Sequence, residues 1–566
     1  MTDNCRAPED SGDIHAILLY AGKATRLGPL SEEGKALIRI HGRPMVCHQL
    51  TTLAHAGVRH ATVVVKPHQA PVIRRLLADL SLYIGIRASV ITQRYSAGPG
   101  AALAGALAAT PPGKEVLLLL GDTYLEHLDI KARASWIGTA PAQSARTWCK
   151  VICDDQTHTV VGFADEVVRP EDSEQVAVGI YYFTNRKILD AVADSKLKEY
   201  KSDTSARKDG LQLSEILSQY IYHEPMITLR FDDWIDLGDW HASARDRMIA
   251  SRTRSFNCLT SQSAVVLRKS GSGEDFEAES LYLRNLRPQM RSLFPRVIHV
   301  ADDLLSYDLE YIDYPTLAEI YLYSAADAQW WSLTLRSVMQ LLAKYLWWSP
   351  EDGQFAAEQA AADINYLCVT KLQQRFDSFC RSEALATRHE VKINGHPLLA
   401  GPALVEALIR ELSSELGNTH PGHAHGDLCM SNILFSNRSG ALKLIDPRGM
   451  PGTATANHGR PVGDVRYDIA KLRHSYHGGY DAITHDLYRV DYILGSSFGF
   501  RFFDRSGHAE RMDESLEEAD FVIREIALIE ATQFLSLLPL HFDSPARQRA
   551  LYLRAVEIAN EALSWP

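Results

Sequence analysis

The sequence contains no apolar run approaching the roughly 18 residues that a membrane-spanning helix needs. Its first stretch, residues 1–13, is acidic and lacks the basic-then-apolar pattern of a secretion signal. These two absences predict a cytoplasmic protein with no membrane insertion. Cysteine is also scarce: the eight residues are scattered and form no C-x-x-C pair, which indicates reduced thiols used in packing.

Positive charge is in deficit as well, with 59 Lys and Arg against 70 Asp and Glu and a net charge of −11. Such a chain is a poor non-specific ligand for nucleic acid, so nucleic acid is not an expected partner. None of the 22 histidines has a metal-site spacing such as H-E-x-x-H. The expected partners are small molecules and nucleotides held by a few local cations, and a homo-oligomer is left open.

The length predicts more than one domain. Residues 14–250 alternate apolar strand-like runs with helical stretches, which predicts an α/β Rossmann-like domain with a mostly parallel sheet and helices on both faces. Residues 251–262 are polar and unpatterned and are predicted to be a linker, and the N-terminus before residue 14 is predicted to be flexible. An α+β domain is expected next, with a small lobe at about 263–315 and a helical large lobe at about 316–566.

The first candidate site follows the opening strand, in a tight loop that carries Arg26 and Lys35. Small residues such as Gly22 allow backbone N–H groups to approach phosphate, and the two cations can neutralise a triphosphate. Alone, such a loop is more often a surface turn with solvated cations. Two carboxylates at predicted strand ends, Asp122 and Asp236, strengthen the hypothesis because Mg²⁺ prefers such oxygen ligands and bridges phosphates.

These segments resemble the sugar-1-phosphate nucleotidyltransferase family over residues 14 to about 245. The matching segments, in chain order, are Gly22 to Leu27, Gly34-Lys35, Arg43-Pro44-Met45, Gly121-Asp122 and Trp234 to Gly238. The resemblance implies a nucleotidyltransferase fold and in-line attack by a substrate phosphate on the α-phosphorus of a nucleoside triphosphate.

The same resemblance implies residue roles. Arg26 would contact the β- and γ-phosphates, Lys35 the attacking phosphate and the α-phosphate, and Asp122 with Asp236 a Mg²⁺ ion. The implied nucleotide-binding positions are Ala21, Gly22, Thr25, Gly100 and Gly121, and the implied substrate-binding positions are Gly179 and Glu215.

The segment departs from the family pattern at three points. Ala24 replaces a usual glycine, the spacing from Arg26 to Lys35 is one residue short, and residues 162–170 lack the lysine of the family's Glu-x-Lys-Pro segment. The identity of the phosphate acceptor therefore stays open.

The second candidate site lies in residues 423–449, HAHGDLCMSNILFSNRSGALKLIDPRG. A loop aspartate, Asp427, can accept a hydroxyl proton and aim the nucleophile. Asn432, five residues later, and Asp446, at the end of a second short strand, can coordinate metals that bridge the phosphates of ATP. A hairpin with incidental polar residues has no reason to space these three residues in this way.

This segment resembles the aminoglycoside phosphotransferase and choline kinase superfamily, which is related to protein kinases, over about residues 255–566. The resemblance implies that Asp427 is catalytic and that Mg²⁺ and ATP are required. Lys269 would contact the α- and β-phosphates, with Glu279, or alternatively Glu277, as its helix partner.

Further implied features are a hinge at Glu310 and Tyr311 that binds adenine through its backbone and a structural aspartate, Asp468. No clear glycine-rich loop precedes Lys269. The segment IDPRG at 445–449 is similar to kinase-like domains encoded with bacterial capsule and surface-polysaccharide genes.

The leading hypothesis is a bifunctional enzyme that phosphorylates a small hydroxyl metabolite with ATP and couples the phosphate to a nucleotide from a second NTP, giving a nucleotide-activated sugar for surface polysaccharide. One alternative is choline or another non-sugar alcohol as acceptor, giving a CDP-linked product. Others are a non-catalytic, regulatory kinase-like half or a scaffold role. An aromatic cage built from Trp330, Trp331, Trp347 and Trp348 would favour choline, but core packing explains these tryptophans better. The base of the second NTP is not predicted.

Overall fold

The chain divides into two compact units, Met1–Met248 and Ile249–Pro566. A computed structural model describes residues 14–22, 34–40, 42–93, 97–130, 134–141, 147–154, 156–157, 159–168, 175–202, 210–237, 257–263, 265–347, 353–415, 419–436, 438–450, 462–505 and 507–565. Thr25 and Arg26, the predicted flexible N-terminus and residues 251–256 of the predicted linker lie outside these ranges.

The first unit combines strands and helices along its whole length. Its strands are β1 (Ile14–Leu19), β2 (Arg39–Ile40), β3 (Arg43–Pro44), β4 (His60–Val65), β5 (Arg87–Thr92), β6 (Glu115–Leu120), β7 (Thr123–Tyr124), β8 (Ser135–Pro141), β9 (Thr147–Cys153), β10 (Val160–Val168), β11 (Gln175–Phe183), β12 (Met226–Arg230) and β13 (Ile235–Asp236). Its helices are α1 (Met45–His55), α2 (Ala70–Ile84), α3 (Pro99–Ala109), α4 (Arg186–Ser202) and α5 (Leu213–His223), with a 3₁₀ turn at Lys35–Leu37.

Nine of these strands form one sheet in the order β10-β9-β11-β6-β1-β4-β5, and β8, which pairs with β11, also carries β12. The strands β6, β1, β4 and β5 are parallel, with Leu19 opposite both Leu120 and Val64. The strands β1, β4 and β6 are largely apolar, whereas the edge strand β5 is half exposed, and α1, α2 and α3 lie between these strands in the sequence. Because parallel strands end at the same edge, this half of the sheet has a well-defined carboxyl edge.

The expectation of a mostly parallel sheet is wrong, because the sheet is mixed. Strands β8, β9, β10 and β11 pair with one another antiparallel, and β11 also pairs antiparallel with β6. The described residues between Ser135 and Phe183 contain no helix. Parallel neighbours need a long crossover connection, usually a helix, so consecutive strands joined without one pair as hairpins.

The core of the first unit lies between the sheet and helices α3, α4 and α5. Leu103, Leu118, Phe183 and Ile216 are all completely buried there. Burial of one such side chain contributes about 1.5–3 kcal/mol relative to exposure. The centre of the sheet is thus anchored, and it holds the strand ends in fixed positions.

The second unit begins with a four-stranded antiparallel sheet in the order β14 (Asn257–Ser263), β15 (Val266–Gly271), β17 (Ser306–Glu310) and β16 (Val297–Val300). Helix α6 (Glu274–Arg284) follows β15. Residues 257–262, predicted as linker, therefore lie in a strand. The strand is at the edge of its sheet and largely exposed, so it needs no apolar pattern. Because its residues are polar, the sequence did not indicate a strand here.

The rest of the second unit is dominated by helices. They are α7 (Leu317–Tyr323), α8 (Ala328–Tyr345), α9 (Gly353–Asn365), α10 (Lys371–Ser382), α11 (Gly401–Glu415), α12 (Val465–Tyr476), α13 (Tyr480–Thr484), α14 (His508–Glu517), α15 (Ile523–Leu537) and α16 (Pro545–Ser564), with a π-helical segment at Tyr366–Thr370 and 3₁₀ turns at Arg291–Leu293, Ala384–Thr387, Met430–Asn432 and Leu538–His541. Its strands are β18 (Glu390–Ile393), β19 (His396–Leu399), β20 (Pro421–His423), β21 (Ile433–Phe435), β22 (Leu442–Leu444), β23 (Val462–Asp464), β24 (Tyr488–Leu494) and β25 (Ser497–Phe502).

One sheet in this region was not expected from the helical pattern. Two hairpins join in the order β19-β18-β25-β24. The first turns at Asn394 and Gly395, whose φ angles are 50° and 88°. An Asn-Gly pair is a strong hairpin signal because both central residues of the tightest turn need positive φ. The signal was present in the sequence.

The sequence predicted no helix that inserts into a membrane. Over the described residues, no helix combines the length and apolar character needed to cross a bilayer.

Candidate active sites

The first site forms where β6 ends beside β1. Gly121 follows the last residue of β6, and its N–H donates to the carbonyl of Leu19 at 2.9 Å. A Cβ at this glycine would lie 2.5 Å from Cδ1 of Tyr20 and 2.7 Å from the Leu19 oxygen. Only glycine fits without a shift, and the close approach puts Asp122 at the carboxyl edge of the sheet.

Asp122 pairs with a predicted cation. Lys35 begins the 3₁₀ turn after Gly34, and its Nζ lies 2.5 Å from Oδ2 of Asp122. The side chains are 18% and 27% exposed, so the pair lies at the protein surface where a ligand can reach it. Because water screens a partly exposed pair, its main effect is to position charge rather than to stabilise the fold.

The second carboxylate of this site lies on the neighbouring strand. In the antiparallel pair β7–β13, Asp236 is opposite Thr123, and the N–H of Leu237 donates to the Asp122 carbonyl at 2.9 Å. Trp234, just before β13, is buried. The backbones of the two aspartates are therefore adjacent.

The donor chemistry of this pair fits Mg²⁺, which is commonly held by one or two carboxylates together with substrate phosphates. The described residues form no cluster of three or more acidic, His or Cys side chains that could hold a metal by themselves. A site completed by the substrate does not need such a cluster.

A buried glutamine, which the motif search missed, fixes this strand end. Gln49 on α1 accepts a hydrogen bond from the Tyr20 hydroxyl at 2.6 Å. Its Nε2 donates to the carbonyls of Leu120 and Thr123, both at 2.8 Å. Gln49 is 3% exposed. The sequence signal was a polar residue within an apolar helical stretch, which alone names no function.

The implied base- and substrate-facing positions Gly100 and Glu215 lie in two joined segments. The N–H of Gly100 donates to the Leu211 carbonyl at 2.9 Å, and the Leu211 N–H donates to Ala97 at 2.8 Å. Glu215 accepts from the Gln212 N–H at 2.9 Å, which closes a capping box at the start of α5. This carboxylate therefore has a structural partner in addition to any ligand.

Gly179 lies beside the strand end of the first site. Its φ is +86°, and a Cβ there would lie 2.3 Å from Oγ1 of Thr123. That hydroxyl donates to the Val178 carbonyl at 2.5 Å. The glycine thus lets β11 approach the segment that carries Asp122. Of the other predicted positions, Ala21 is buried and Gly22 exposed at the end of β1.

The second site is built around Lys269 on β15. Its Nζ lies 2.8 Å and 2.9 Å from the two carboxylate oxygens of Glu279 and 2.9 Å from Oδ1 of Asp446. Lys269 and Glu279 have side chains that are 7% exposed, whereas that of Asp446 is 49% exposed. Glu277, the alternative partner, is exposed on α6. Glu279 is therefore the helix carboxylate that contacts the lysine.

These three ionisable groups shift one another's pKa values. Burial, followed by the nearby Asp446 carboxylate, raises the pKa of Glu279 to about 7 against the opposing effect of Lys269. Burial alone would lower the pKa of Lys269, but the two carboxylates outweigh it and hold that pKa above its usual value. Burial would raise the pKa of Asp446, but Lys269 outweighs it and holds that pKa below its usual value. At neutral pH, Lys269 and Asp446 are therefore both charged.

His425 ties the loop of Asp427 to the strand end before Asp446. Its Nε2 lies 3.0 Å from the Ile445 carbonyl, and its Nδ1 lies 3.3 Å from the Asp427 N–H. Since a carbonyl can only accept, Nε2 carries the proton and Nδ1 accepts. Burial lowers the pKa of this histidine to about 4, so the ring is neutral and keeps both bonds at physiological pH.

Asp468 holds the same loop from α12. Its carboxylate accepts from the N–H groups of His425 and Gly426 at 2.7 Å and 2.8 Å, and from Nε1 of Trp347 at 3.4 Å. The residue is completely buried, and burial raises its pKa to about 6. It fixes the backbone immediately before Asp427.

The predicted metal-binding residues meet across a hairpin. Nδ2 of Asn432 donates to the Asp427 carbonyl at 2.8 Å, and the Ile445 N–H donates to the Asn432 carbonyl at 3.0 Å. The next residue, Asp446, has φ of +57°. The amide of Asn432 uses its nitrogen within the loop, so its side-chain oxygen is the atom suited to a metal. Together with the half-exposed Asp446 carboxylate, this donor set fits Mg²⁺.

Asp427 itself lies between two cations that sequence reasoning missed. Nε of Arg448 lies 3.4 Å from its Oδ2, and Nζ of Lys471 lies 3.3 Å from its Oδ1. The signals were available: Arg448 belongs to the IDPRG segment, and Lys471 follows Asp468 by one helical turn.

The predicted hinge behaves differently from the expectation. The N–H of Glu310 donates to the Arg296 carbonyl at 2.9 Å, and the N–H of Tyr311 donates to Val265 at 2.8 Å. Both donors serve the sheet. That this segment binds adenine through its backbone stays a prediction.

Trp331, which was considered for an aromatic cage, and the buried His474 both have packing contacts. Trp331 is 1% exposed, and its ring lies edge-on to Tyr321 at 5.4 Å. His474 packs between Tyr480 and Phe534, with ring centroids 4.5 Å and 4.1 Å away. These contacts favour core packing over a cage for a quaternary ammonium.

Comparison with known proteins agrees with the fold and the geometry of the first unit. Residues 15–248 match the family model described as Nucleotidyl transferase. The first unit is therefore a nucleotidyltransferase domain of the sugar-1-phosphate type. The family match ends just before the second unit begins.

The chain is also similar to individual proteins. A glucose-1-phosphate thymidylyltransferase of Mycobacterium tuberculosis is 36% identical over 111 residues, which cover 19% of this chain and 38% of that protein. A protein of the same name from Mycolicibacterium smegmatis is 27% identical, covering 40% and 78%. The bifunctional protein GlmU of Heliobacterium modesticaldum is 26% identical, covering 41% and 52%. The chain thus spans well under two thirds of the first and third of these relatives.

Proposed function

We propose that the chain is a bifunctional enzyme. Its second unit transfers the γ-phosphoryl group of ATP to a hydroxyl of a small metabolite. Its first unit then couples that phosphate to a nucleoside monophosphate from a second NTP and releases pyrophosphate. The nucleotidyltransferase match supports the second step, and the contact of Lys269 with both Glu279 and Asp446 is the observation that carries the first.

The phosphoryl transfer uses Asp427. This carboxylate accepts the proton of the acceptor hydroxyl, whose oxygen attacks the γ-phosphorus while the bond to the bridging oxygen breaks and ADP leaves. Lys269 binds the α- and β-phosphates, with Glu279 as its fixed partner. Mg²⁺ held by Asn432 and Asp446 would supply charge neutralisation on the phosphates.

The nucleotidyl transfer uses Lys35. An oxygen of the acceptor phosphate attacks the α-phosphorus of the NTP, the bond to the bridging oxygen breaks, and pyrophosphate leaves. Lys35 orients the attacking phosphate and the α-phosphate while Arg26 contacts the β- and γ-phosphates. Mg²⁺ held by Asp122 and Asp236 would supply further neutralisation of the triphosphate.

The fusion has a physical reason in this scheme. The product of the second unit is the substrate of the first, and a covalent link keeps the two sites at an effective concentration on the order of millimolar. The product class we propose is a nucleotide-activated sugar for surface polysaccharide. The sugar-phosphate names of the relatives and the IDPRG segment support this class.

Two single variants test the scheme separately. The full chain with Mg·ATP, an NTP mixture and a panel of sugars and sugar acids should release both ADP and pyrophosphate. Asp427→Ala should abolish ADP release, and with a phosphorylated acceptor supplied it should keep pyrophosphate release. Lys35→Ala should show the opposite pattern.

Lys392→Ala, which removes an exposed lysine on β18, is the matched control and should retain both activities. ADP release that is the same in Asp427→Ala and the wild type would favour a non-catalytic second unit.

A further inference from the structure

The cations near Asp427 outnumber what ATP binding explains. Arg448 and Lys471 contact the Asp427 carboxylate. Lys371 and Arg375 lie one turn apart at the start of α10, and their charges act on each other and on Arg448. We call these four residues, Lys371, Arg375, Arg448 and Lys471, the basic cluster.

Lys371 is the most informative member of the basic cluster. Within the described part of the chain its side chain makes no ion pair or hydrogen bond, although the residue is partly buried. Burial, followed by the positive charge of Arg375, lowers the pKa of Lys371 to about 8. The charge of Asp275 opposes this shift in part, but no carboxylate among the described residues forms an ion pair with the ammonium group. A bound anion would offset the cost of partly burying this charge.

The rest of the cluster is held in place by the protein. Arg375 donates through Nη1 to the Ser536 carbonyl at 3.3 Å. Arg448 lies two residues after Asp446, and its Nε is 3.4 Å from Oδ2 of Asp427. The cations are therefore anchored around the group that we propose accepts the acceptor's proton, whereas Lys269 and the metal-binding pair already serve the phosphates of ATP.

We propose that the basic cluster recognises an anionic group on the acceptor, so that the second unit phosphorylates a hydroxyl of an acidic small molecule. This inference rests on the proposed phosphotransferase activity and narrows its substrate class. The anionic group is a carboxylate or a phosphate, as in a sugar acid or a sugar phosphate. A quaternary ammonium or an aminosugar would face like charge at this site.

The test compares acceptors that differ mainly in charge. Glucuronate, glucose 6-phosphate, glucose and glucosamine share a pyranose ring, and ADP release with each gives a kcat/KM value. The two anionic sugars should exceed glucose, and glucosamine should be the poorest. The carboxylate and phosphate arms identify which anion the cluster takes.

Lys371→Met is the decisive variant because it removes a charge without breaking a described contact. It should lower kcat/KM for the preferred anionic sugar by about 10–100-fold through KM, the loss typical of one charge-assisted hydrogen bond. The variant should leave kcat/KM for glucose and the KM for ATP within about 3-fold of the wild-type values. Lys392→Ala again serves as the matched control.

A binding measurement decides the case if no sugar of the panel is turned over. Sulfate, compared with chloride at equal ionic strength, should raise the unfolding temperature of the wild type and of Lys392→Ala more than that of Lys371→Met. An equal sulfate response in all three proteins, or preference for glucosamine, would overturn the inference. An equal loss of kcat/KM for all acceptors in Lys371→Met, together with a raised KM for ATP, would also overturn it, because the cluster would then bind ATP. Only an unaffected Asp427→Ala variant would overturn the phosphotransferase itself.

Discussion

At the scale of single residues, Lys269 has one fixed and one exchangeable partner. Glu279 is as buried as the lysine, whereas half of the Asp446 side chain is exposed. Buried ion pairs are weak evidence for stability, because desolvation can cancel the attraction. In the phosphotransferase that we propose, the phosphates of ATP would take the place of Asp446 beside Lys269, and Glu279 would remain as the partner of the lysine.

His474 allows a test of buried charge that is independent of catalysis. Burial lowers its pKa well below the usual value, so the folded state keeps it neutral while the unfolded chain protonates it near pH 6.5. Its stabilising effect is therefore complete above pH 6.5 and is lost as the pH falls. When the pH falls from 7.5 to 5.5, the free energy of unfolding of the wild type, measured in urea, should fall by about 1.4 kcal/mol more than that of His474→Phe.

The exposed His396 provides the matched control for this experiment. His396→Phe should follow the wild type at both pH values. A His474→Phe variant whose stability falls as much as that of the wild type would contradict the assignment of a buried, neutral ring.

At the scale of elements, sequence patterns predicted the parts that repeat simple rules. The apolar runs before Gly121 and at β1 indicated buried parallel strands. The resemblance to the kinase-like superfamily, rather than a sequence pattern, named Glu279 as the partner of Lys269, with Glu277 as the alternative. The antiparallel half of the first sheet was missed because strand pairing depends on whether a crossover helix intervenes. Edge strand β14 was missed because its residues are polar.

The candidate sites likewise contain residues that the sequence named and residues that it did not. Motif spacing named Lys35, Asp122 and Asp446 because phosphate and metal chemistry restricts residue types. It did not name Gln49 or Lys371, since a buried amide or lysine on a helix becomes informative only when the strand ends or charges around it are known.

The loop of Asp427 is held by the Asp468 carboxylate on helix α12. Asp468→Asn keeps the size of the side chain but turns one of two acceptor oxygens into a donor that faces N–H groups. We expect ADP release to fall by about 10–100-fold, because small displacements of reacting groups have effects of this size. Pyrophosphate release from a supplied phosphate acceptor should be unchanged, which separates loop positioning from general unfolding.

The pH profile of Asp468→Asn sharpens this test. The pKa of Asp468 is raised to about 6 in the folded state, so its contribution to stability is greatest at acid pH and is lost as the pH rises from about 4 through 6. The variant removes this dependence. If the Asp468→Asn variant releases ADP at the wild-type rate, the carboxylate does not position the loop.

At the scale of the whole molecule, the chain combines a nucleotidyltransferase domain with a second unit that concentrates acidic and basic side chains around one loop. The mixed sheet supplies a carboxyl edge for Lys35 and Asp122. The second unit supplies Asp427 beside Asn432, and Lys269 in contact with Asp446. In the scheme that we propose, the phosphate that the second unit adds to the acceptor becomes the nucleophile in the reaction of the first unit.

The fate of the γ-phosphoryl group of ATP tests this sequence most directly. The full chain is incubated with γ-³²P-labelled ATP, unlabelled NTPs and the sugar and sugar-acid panel, and the products are separated and identified by mass. The account predicts that the label appears in a nucleotide-linked product, in the phosphate that joins the acceptor to the nucleotide, and that both Asp427→Ala and Lys35→Ala remove it. Label found only in ATP and inorganic phosphate, with an unlabelled nucleotide product, would contradict the account.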